Sequence, residues 1–323
     1  MLAIGLILLR IGVDDGAYAE IQQVLSVGVS PSNVIFSNTT KAAGHLRHAR
    51  IKGVELMTFD NEAELKKVHS IFPTAKLLLR LRCAPTDCRV VFSHKFGCSP
   101  QEAPLLLRAA RALGLRVVGV SFHLGSDSRS PLAYESGIEA ARHVFEEGRR
   151  QGWRMRVLDI GGGFPGDEGT SLHQFARAVN SGLAQHFPDQ DVLIIAEPGR
   201  YFVASAFTLA AQIHSLRDAT AETSAMYYLN DGLHGSFNRP SYKSIEPRPL
   251  RKSCGPLLPC SLWGPTCDPT DQILQQVELP KMHVGDWLVF PNFGAYTVSL
   301  AGTFNGFPLP RVYSFADTST RSV

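Results

Sequence analysis

The chain has 323 residues, is 44% hydrophobic and 19% charged, and carries a formal net charge of +3 with no long run of either sign. That length and apolar content suit one large packed domain or two, and the balanced charge argues against nucleic acid as a partner. The six cysteines (Cys83, Cys88, Cys98, Cys254, Cys260 and Cys267) form no CxxC pair and no Cys/His cluster of zinc spacing, so reduced thiols in a cytoplasmic protein without a bound metal are expected.

The opening run MLAIGLILLRIGV is too short to span a bilayer, lacks a basic segment ahead of it and offers no clear cleavage site. A buried helix or strand fragment is expected there, with neither a membrane span nor a signal peptide. From there the chain alternates. Apolar runs at 34–36, 54–59, 77–79, 117–122, 157–160 and 194–196 read as strands. Helical spacing fills 40–51, 61–71, 101–113, 134–148 and 175–186, with Asn61 placed to cap its helix and Glu64 three residues on. Strand and helix in strict alternation predict parallel strands with crossover helices, and several such units in succession point to a (β/α)8 barrel.

After about residue 205 the helical period fades. Short β-like runs follow at 207–213, 226–229, 287–290 and 296–300, with frequent Pro and Gly, and 236–259 reads as a long loop. The expected organisation is an α/β barrel domain at 1–205 followed by an all-β domain at 206–323.

Working residues of a barrel sit at the C-terminal ends of its strands. Those ends carry Arg80, then His123 and Ser126, then Gly161, Gly162 and Gly163 in LDIGGGFPG, then Glu197 and Arg200 in AEPGR. Consecutive glycines let backbone amides close on an anion, and an arginine can fork two phosphate oxygens. A carboxylate such as Glu197 beside a pyridine nitrogen keeps that nitrogen protonated and the ring electron-poor. Each also has a plainer role: a flexible turn for the glycines, a salt bridge to Arg200 for Glu197, packing for His123.

The motifs VVGVSFHLGS, LDIGGGFPG, AEPGRYFVASAF, NDGLHGSFN, SLWGPTCD, MHVGDWLVF and GAYTV closely resemble the ornithine decarboxylase family, which includes the antizyme inhibitors. The resemblance runs from about residue 12 to about 315 and implies a barrel-plus-β-domain decarboxylase of polyamine (putrescine) metabolism that uses pyridoxal 5'-phosphate. It implies phosphate contacts from Ser126, Gly161, Gly162, Gly163, Arg200 and Tyr296, a ring-nitrogen partner in Glu197 and a ring-stacking His123. Asp14, Glu20 and Arg80 match polar residues around the cofactor. Cys267 matches the acid that returns a proton to the α-carbon, and Asp268 a ligand of the substrate amine. The family works as a homodimer whose sites are shared across the interface. Lys95 and Asp271 match an intersubunit ion pair, and Gly294 a glycine that the interface requires.

The chain also departs from the family. The lysine that forms the Schiff base sits in a stretch like YAVKCN, which is absent; the first lysine here is Lys41, in a part that matches further downstream. The first βα unit therefore has no counterpart, and any cofactor would be held without a covalent anchor. Where the family reads roughly LYDH, this chain has Lys243 in place of a substrate-binding acid. A second cation about 4 Å from a substrate ammonium would cost on the order of 4 kcal/mol. That lysine would either oppose ornithine, swing away or neutralise Asp268, and an uncharged small amino acid becomes the expected substrate. His234 replaces a tyrosine. The stretch 41–67, with Lys41, Arg47, Glu64 and Lys67, matches the antizyme-binding segment, against the plainer reading of a solvated helix face. Two functions follow: a decarboxylase inactive or altered as the chain stands, or a non-catalytic regulator that binds ornithine decarboxylase antizyme.

Overall fold

A computed structural model describes residues 17–83, 87–188, 191–240, 243–251 and 255–315. The chain divides into two compact units between Phe202 and Val203. Among the described residues no helix is long and apolar enough to cross a membrane.

The first unit begins with α1 (Ala17–Ser26), which is followed by β1 (Ile35–Phe36), α2 (Ala43–Lys52), β2 (Leu56–Phe59), α3 (Glu62–Ile71), β3 (Lys76–Leu81) and β4 (Cys88–Val90). It continues through α4 (Ala103–Ala112), β5 (Arg116–Phe122), β6 (Ser126–Ser128), α5 (Leu132–Arg150), β7 (Val157–Asp159), α6 (His173–His186), β8 (Leu193–Ile195) and α7 (Gly199–Val203), the last crossing into the second unit. Six strands form one parallel sheet in the order β1-β2-β3-β5-β7-β8, and β4 and β6 pair separately. All six expected barrel strands are found. They were legible because both faces are covered, so each reads as a continuous apolar run. Ile35 of β1 and Ile195 of β8 lie on opposite edge strands, yet share one buried cluster with Leu56 and Leu78. The sheet therefore curls in the manner of a barrel, while the helices pack outside it on a larger core that includes Leu46, Leu65, Leu107, Ile138 and Phe175.

Helix α3 starts as its sequence predicts: Asn61 Oδ1 accepts from the Glu64 amide at 2.9 Å. Glu64 itself turns inward. Its carboxylate pairs with Lys41 Nζ at 2.9 Å, with both side chains buried, and Lys41 also donates to the carbonyls of Asn38 and Thr58. Burial lowers the Lys41 pKa, with Glu64 opposing the shift. Of the four residues named for this stretch Arg47 is exposed, as are Arg50, Glu62 and Lys66 beside them, and Lys67 is half-buried against Glu64. Lys41 and Glu64 thus bind β1, β2 and α3 together instead of standing on a solvated face.

The second unit comprises β9 (Leu209–Arg217), β10 (Ala225–Leu229), β11 (Arg248–Pro249), β12 (Leu257–Trp263), β13 (Gln272–Pro280) and β14 (Trp287–Phe290). They form one sheet in the order β11-β14-β9-β10-β12-β13, antiparallel except for β10 with β12. Its core gathers Ile213, Leu229, Leu262, Leu288 and the trio Phe237, Phe290 and Phe293. The run 296–300, expected as a strand, is instead a turn in which Tyr296 has φ +56°. Its carbonyls are taken by side chains: Lys243 Nζ donates to Tyr296 O at 2.6 Å and Asn238 Nδ2 to Thr297 O at 2.9 Å. These contacts occupy the acceptors that a neighbouring strand would use.

Candidate functional site

The strand ends of the first unit bring the expected residues together. After β7 the chain makes the glycine turn, with Gly161 at φ +63° and Gly163 at φ +96°. A Cβ on Gly161 would collide with the Phe122 carbonyl, on Gly162 with the Glu197 carbonyl and on Gly163 with the Gly125 carbonyl. All three glycine carbonyls are committed to the protein: Gly161 O accepts from Glu197 N, Gly162 O from the Tyr134 hydroxyl and Gly163 O from Ser128 N. Tyr134 is fully buried and stacks on Phe164 at 4.7 Å between ring centroids. The peptide planes of the turn are fixed by packing, so it is a rigid backbone cradle and not a flexible link.

Beside it, Arg200 is buried at the start of α7 and donates from Nε and Nη2 to Ser126 Oγ, each at 3.1 Å. Ser126 is also buried, and its hydroxyl retains a proton to give to an anion. Ser126 takes two of the donors of the guanidinium.

His123 follows β5. Its Nδ1 accepts from the Gly125 amide at 3.1 Å, which leaves the proton on Nε2. Burial pushes its pKa down to about 3, with the charge of Arg80 adding to the effect, so the ring is neutral at neutral pH. Arg80 reaches the Ser37 carbonyl at 3.4 Å and lies 5.2 Å from the centre of the Phe96 ring. A Cβ on Gly162 would stand 3.1 Å from His123 Nε2, so the histidine borders the cradle.

One residue went unassigned in the sequence. Asp159, the acid directly before the glycines, is completely buried. Its Oδ2 accepts from Ser121 Oγ at 2.8 Å and its Oδ1 from the Gly161 amide at 2.9 Å. Burial pushes its pKa up to about 6, against the pull of these hydrogen bonds and of Arg80. The strand-end rule that picked Arg80, His123 and Glu197 also selects Asp159. Glu20 lies in the first turn of α1, and Asp14 lies outside the described residues.

The second unit holds the others. Cys267 is exposed, and both its amide and its thiol donate to Asn305 Oδ1, at 3.1 and 3.2 Å. Asp268 is occupied: Oδ1 accepts from the Thr270 amide and hydroxyl at 2.8 and 2.7 Å, and Oδ2 meets His234 Nε2 at 2.8 Å. These bonds, Thr270's first, hold its pKa down at about 2. Of the three courses expected for Lys243, its geometry matches the one in which it turns away from Asp268. Its ammonium is buried on the carbonyls of Ser236, Asn238 and Tyr296 at 3.0, 2.7 and 2.6 Å. It swings away from a substrate role and becomes a strut, and the partner that engages Asp268 is His234. Asp271 is likewise turned inward, accepting from Leu233 N, Thr266 N and Thr266 Oγ1. A Cβ on Gly294 would strike the Val203 carbonyl, which gives this glycine a packing reason within its own unit.

A cavity of about 750 Å³ opens at the N-terminal ends of β2, β3, β5 and β7, bordered by Glu55, Lys76, Arg116, Trp153 and Arg156. It lies at the end of the sheet opposite the residues above. Among the described residues no group of three or more His, Cys, Asp or Glu could hold a metal ion.

Comparison with known proteins supports a common origin. The pyridoxal binding domain of pyridoxal-dependent decarboxylases matches residues 4–204. Antizyme inhibitor 2 of Xenopus laevis is 44% identical over 313 residues, which are 92% of this chain and 69% of that protein. Ornithine decarboxylase of Rattus norvegicus is 42% identical over 325 residues, 94% of this chain and 70% of that protein. The arginine decarboxylase of Paramecium bursaria Chlorella virus, solved bound to agmatine, superposes with a TM-score of 0.86 at 37% identity, covering 91% of this chain and 80% of that one.

Proposed function

This chain belongs to the pyridoxal-dependent decarboxylases of the ornithine decarboxylase and antizyme inhibitor type, and we propose that its first unit binds pyridoxal phosphate without a covalent anchor. The observation that carries this reading is the junction of a rigid glycine cradle with the Arg200–Ser126 pair and Glu197, all at the C-terminal ends of adjacent strands. The donor set fits the cofactor. Arg200, Ser126 and the turn would hold the phosphate, Glu197 would face the ring nitrogen, and His123, neutral and bordering the cradle, would lie on the ring face; Tyr296 is a further phosphate contact in the proposal. When bound, pyridoxal phosphate supplies an electron sink for the charge left at a carbon that loses carbon dioxide. Arg200, Ser126, His123 and Glu197 would orient that ring and keep charge near its nitrogen, and Cys267 of a second copy in the proposed homodimer would hold a thiol proton for the reacting carbon.

Decarboxylation is a proposal of narrower scope. Lys41, the first lysine, is tied to Glu64 and two carbonyls, and Lys243 to three carbonyls, so neither amine is presented for covalent chemistry. We therefore infer that the chain as given is inactive or altered as a decarboxylase. Because His234 and Thr270 already occupy Asp268, the substrate best suited to it has an uncharged side chain. A homodimer with shared sites is part of this reading. The same observations favour, as second reading, a non-catalytic antizyme-binding regulator, for which α2 and α3 present exposed Arg47 and Lys66.

The test is titration of the full chain with pyridoxal phosphate and with pyridoxal, followed by absorbance, then borohydride reduction and peptide mapping. Saturable binding that depends on the phosphate, with no labelled lysine peptide, is expected. Absence of saturable binding would sink the cofactor reading. A labelled lysine would sink the non-covalent one. Displacement of antizyme from ornithine decarboxylase by micromolar chain would favour the regulator.

A further inference from the structure

The end of the parallel sheet opposite the glycine cradle carries positive charge that the cofactor reading does not use. The cavity there, about 750 Å³, lies within the size range of small-molecule sites, about 300–1,000 Å³, and its whole lining belongs to the first unit. Its wall is built from the starts of the strands. Lys76 begins β3 and Arg116 begins β5, and the two are direct register partners. Partners in register present their side chains on one face of a sheet, so two cations stand side by side. Two more, Arg154 and Arg156, come from the segment that leads into β7. Leu56, Val118 and Val157 supply the apolar part of the lining, and they belong to the innermost layer of the curled sheet with Ile35, Leu78 and Ile195.

One carboxylate in the lining answers these four cations. Glu55 meets Lys76 Nζ at 2.7 Å, and Arg156 reaches Asp191, outside the lining, at 3.7 Å. Among the described residues the guanidinium groups of Arg116 and Arg154 have no ion-pair or hydrogen-bond partner. Arg111 adds a further cation beside the wall, 4.6 Å from the ring of Trp153. Like charges directly opposite each other on adjacent strands destabilise a sheet, and an anion held between them removes that cost. Guanidinium groups fork phosphate oxygens.

We propose that this cavity is a second ligand site, for a small polyanion that joins a diphosphate to a planar apolar ring, of the nucleoside diphosphate class. Arg116 and Arg154 would fork the phosphate oxygens, Lys76 would divide its charge between Glu55 and the ligand, and the ring would lie against Leu56, Val118 and Val157. Four cations less one carboxylate leave three positive charges, which suits a diphosphate better than a single phosphate. The site stands apart from the cofactor reading, since none of its residues belongs to the cradle.

ADP is the probe. Isothermal titration of the full chain with ADP would be run at low and at physiological ionic strength for the wild type, Arg116→Glu, Arg154→Glu and Arg217→Glu. The last makes the same charge change at an exposed position of β9, in the second unit. Saturable binding by the wild type is expected, weaker at the higher salt. Each cavity variant should lose at least about tenfold in affinity, as for a charge-assisted contact, and Arg217→Glu less than about twofold. Arg116 and Arg154 are both exposed, so these variants should keep a cooperative thermal melt. Inorganic pyrophosphate and adenosine, each carrying one part of the ligand, should bind more weakly than ADP. Absence of saturable ADP binding would overturn the proposal, as would equal losses in all three variants, which would reveal attraction by net charge alone. Pyrophosphate binding as tightly as ADP would overturn the ring contact. Binding lost in Arg200→Ala and kept in both cavity variants would place ADP in the cradle and overturn the second site.

Discussion

Arg200 and Ser126 meet through two hydrogen bonds of equal length, Nε and Nη2 each 3.1 Å from one hydroxyl oxygen. This geometry joins a planar cation to a hydroxyl that can itself donate to an anion. Arg200→Ala should weaken pyridoxal phosphate binding by about 2–3 kcal/mol, roughly 30- to 150-fold, whereas Ser126→Ala should cost about 1 kcal/mol. Parallel titrations with pyridoxal check the assignment. Both variants should lose the preference for the phosphorylated form, and equal losses toward both ligands would show that the residues do not hold the phosphate.

Lys243 should matter for stability and not for substrate. Lys243→Met leaves three carbonyls without their donor, and it should destabilise the chain by about 3 kcal/mol in urea unfolding. Lys243→Asp should be worse, because it sets a carboxylate among the same acceptors. Restoring the family's acid at this position therefore should not create ornithine binding. A folded Lys243→Asp chain that binds ornithine would contradict the strut.

The turn should not tolerate side chains. Gly163 has φ +96° with the Gly125 carbonyl where a Cβ would go. Gly163→Ala should cost about 1–3 kcal/mol of stability and lower cofactor affinity. Circular dichroism melts and the same titration measure both effects.

His123 should make the chain acid-sensitive. Its folded pKa, about 3, lies below the unfolded value near 6.5, so the folded form binds fewer protons in that window and stability falls as pH drops from 6.5 toward 3. The limiting slope is about 1.4 kcal/mol per pH unit. Urea unfolding at pH 7.5 and 5 should show the wild type losing more stability than His123→Gln.

Thiol accessibility should be uneven. Cys267 is exposed, whereas burial pushes Cys83 and Cys98 up to about 12 and Cys260 up to about 11. Iodoacetamide at pH 8 should label Cys267 first in the native chain, with those three labelled only on unfolding. Peptide mass spectrometry reads the order.

The barrel strands and most of its site could be read in the sequence because both follow local rules. Strands covered on both faces are apolar throughout, and their C-terminal ends carry the polar residues in order. The second unit was harder. In β12 Pro259 interrupts an exposed start, and β13 alternates irregularly between covered and open positions, so neither shows a clean period. The turn at Tyr296 depends on Lys243 and Asn238, more than fifty residues earlier, and no local pattern could announce it. Asp159 was visible but undervalued, since its side chain is held by Ser121, a helix and a strand earlier, and by the Gly161 amide of the turn that follows.

The order of strands in the two sheets has a consequence for how the chain is made. In the parallel sheet every strand lies beside the one that precedes it in that sheet, so each βα unit can dock as soon as it leaves the ribosome. The second sheet cannot be assembled that way. β14, its last strand, sits between β11 and β9, leaving a gap until residue 290 has been synthesised. A nascent chain halted shortly before that point would display two unzipped strand edges, and it is at this stage of synthesis that a chaperone holding the growing polypeptide would have most to protect.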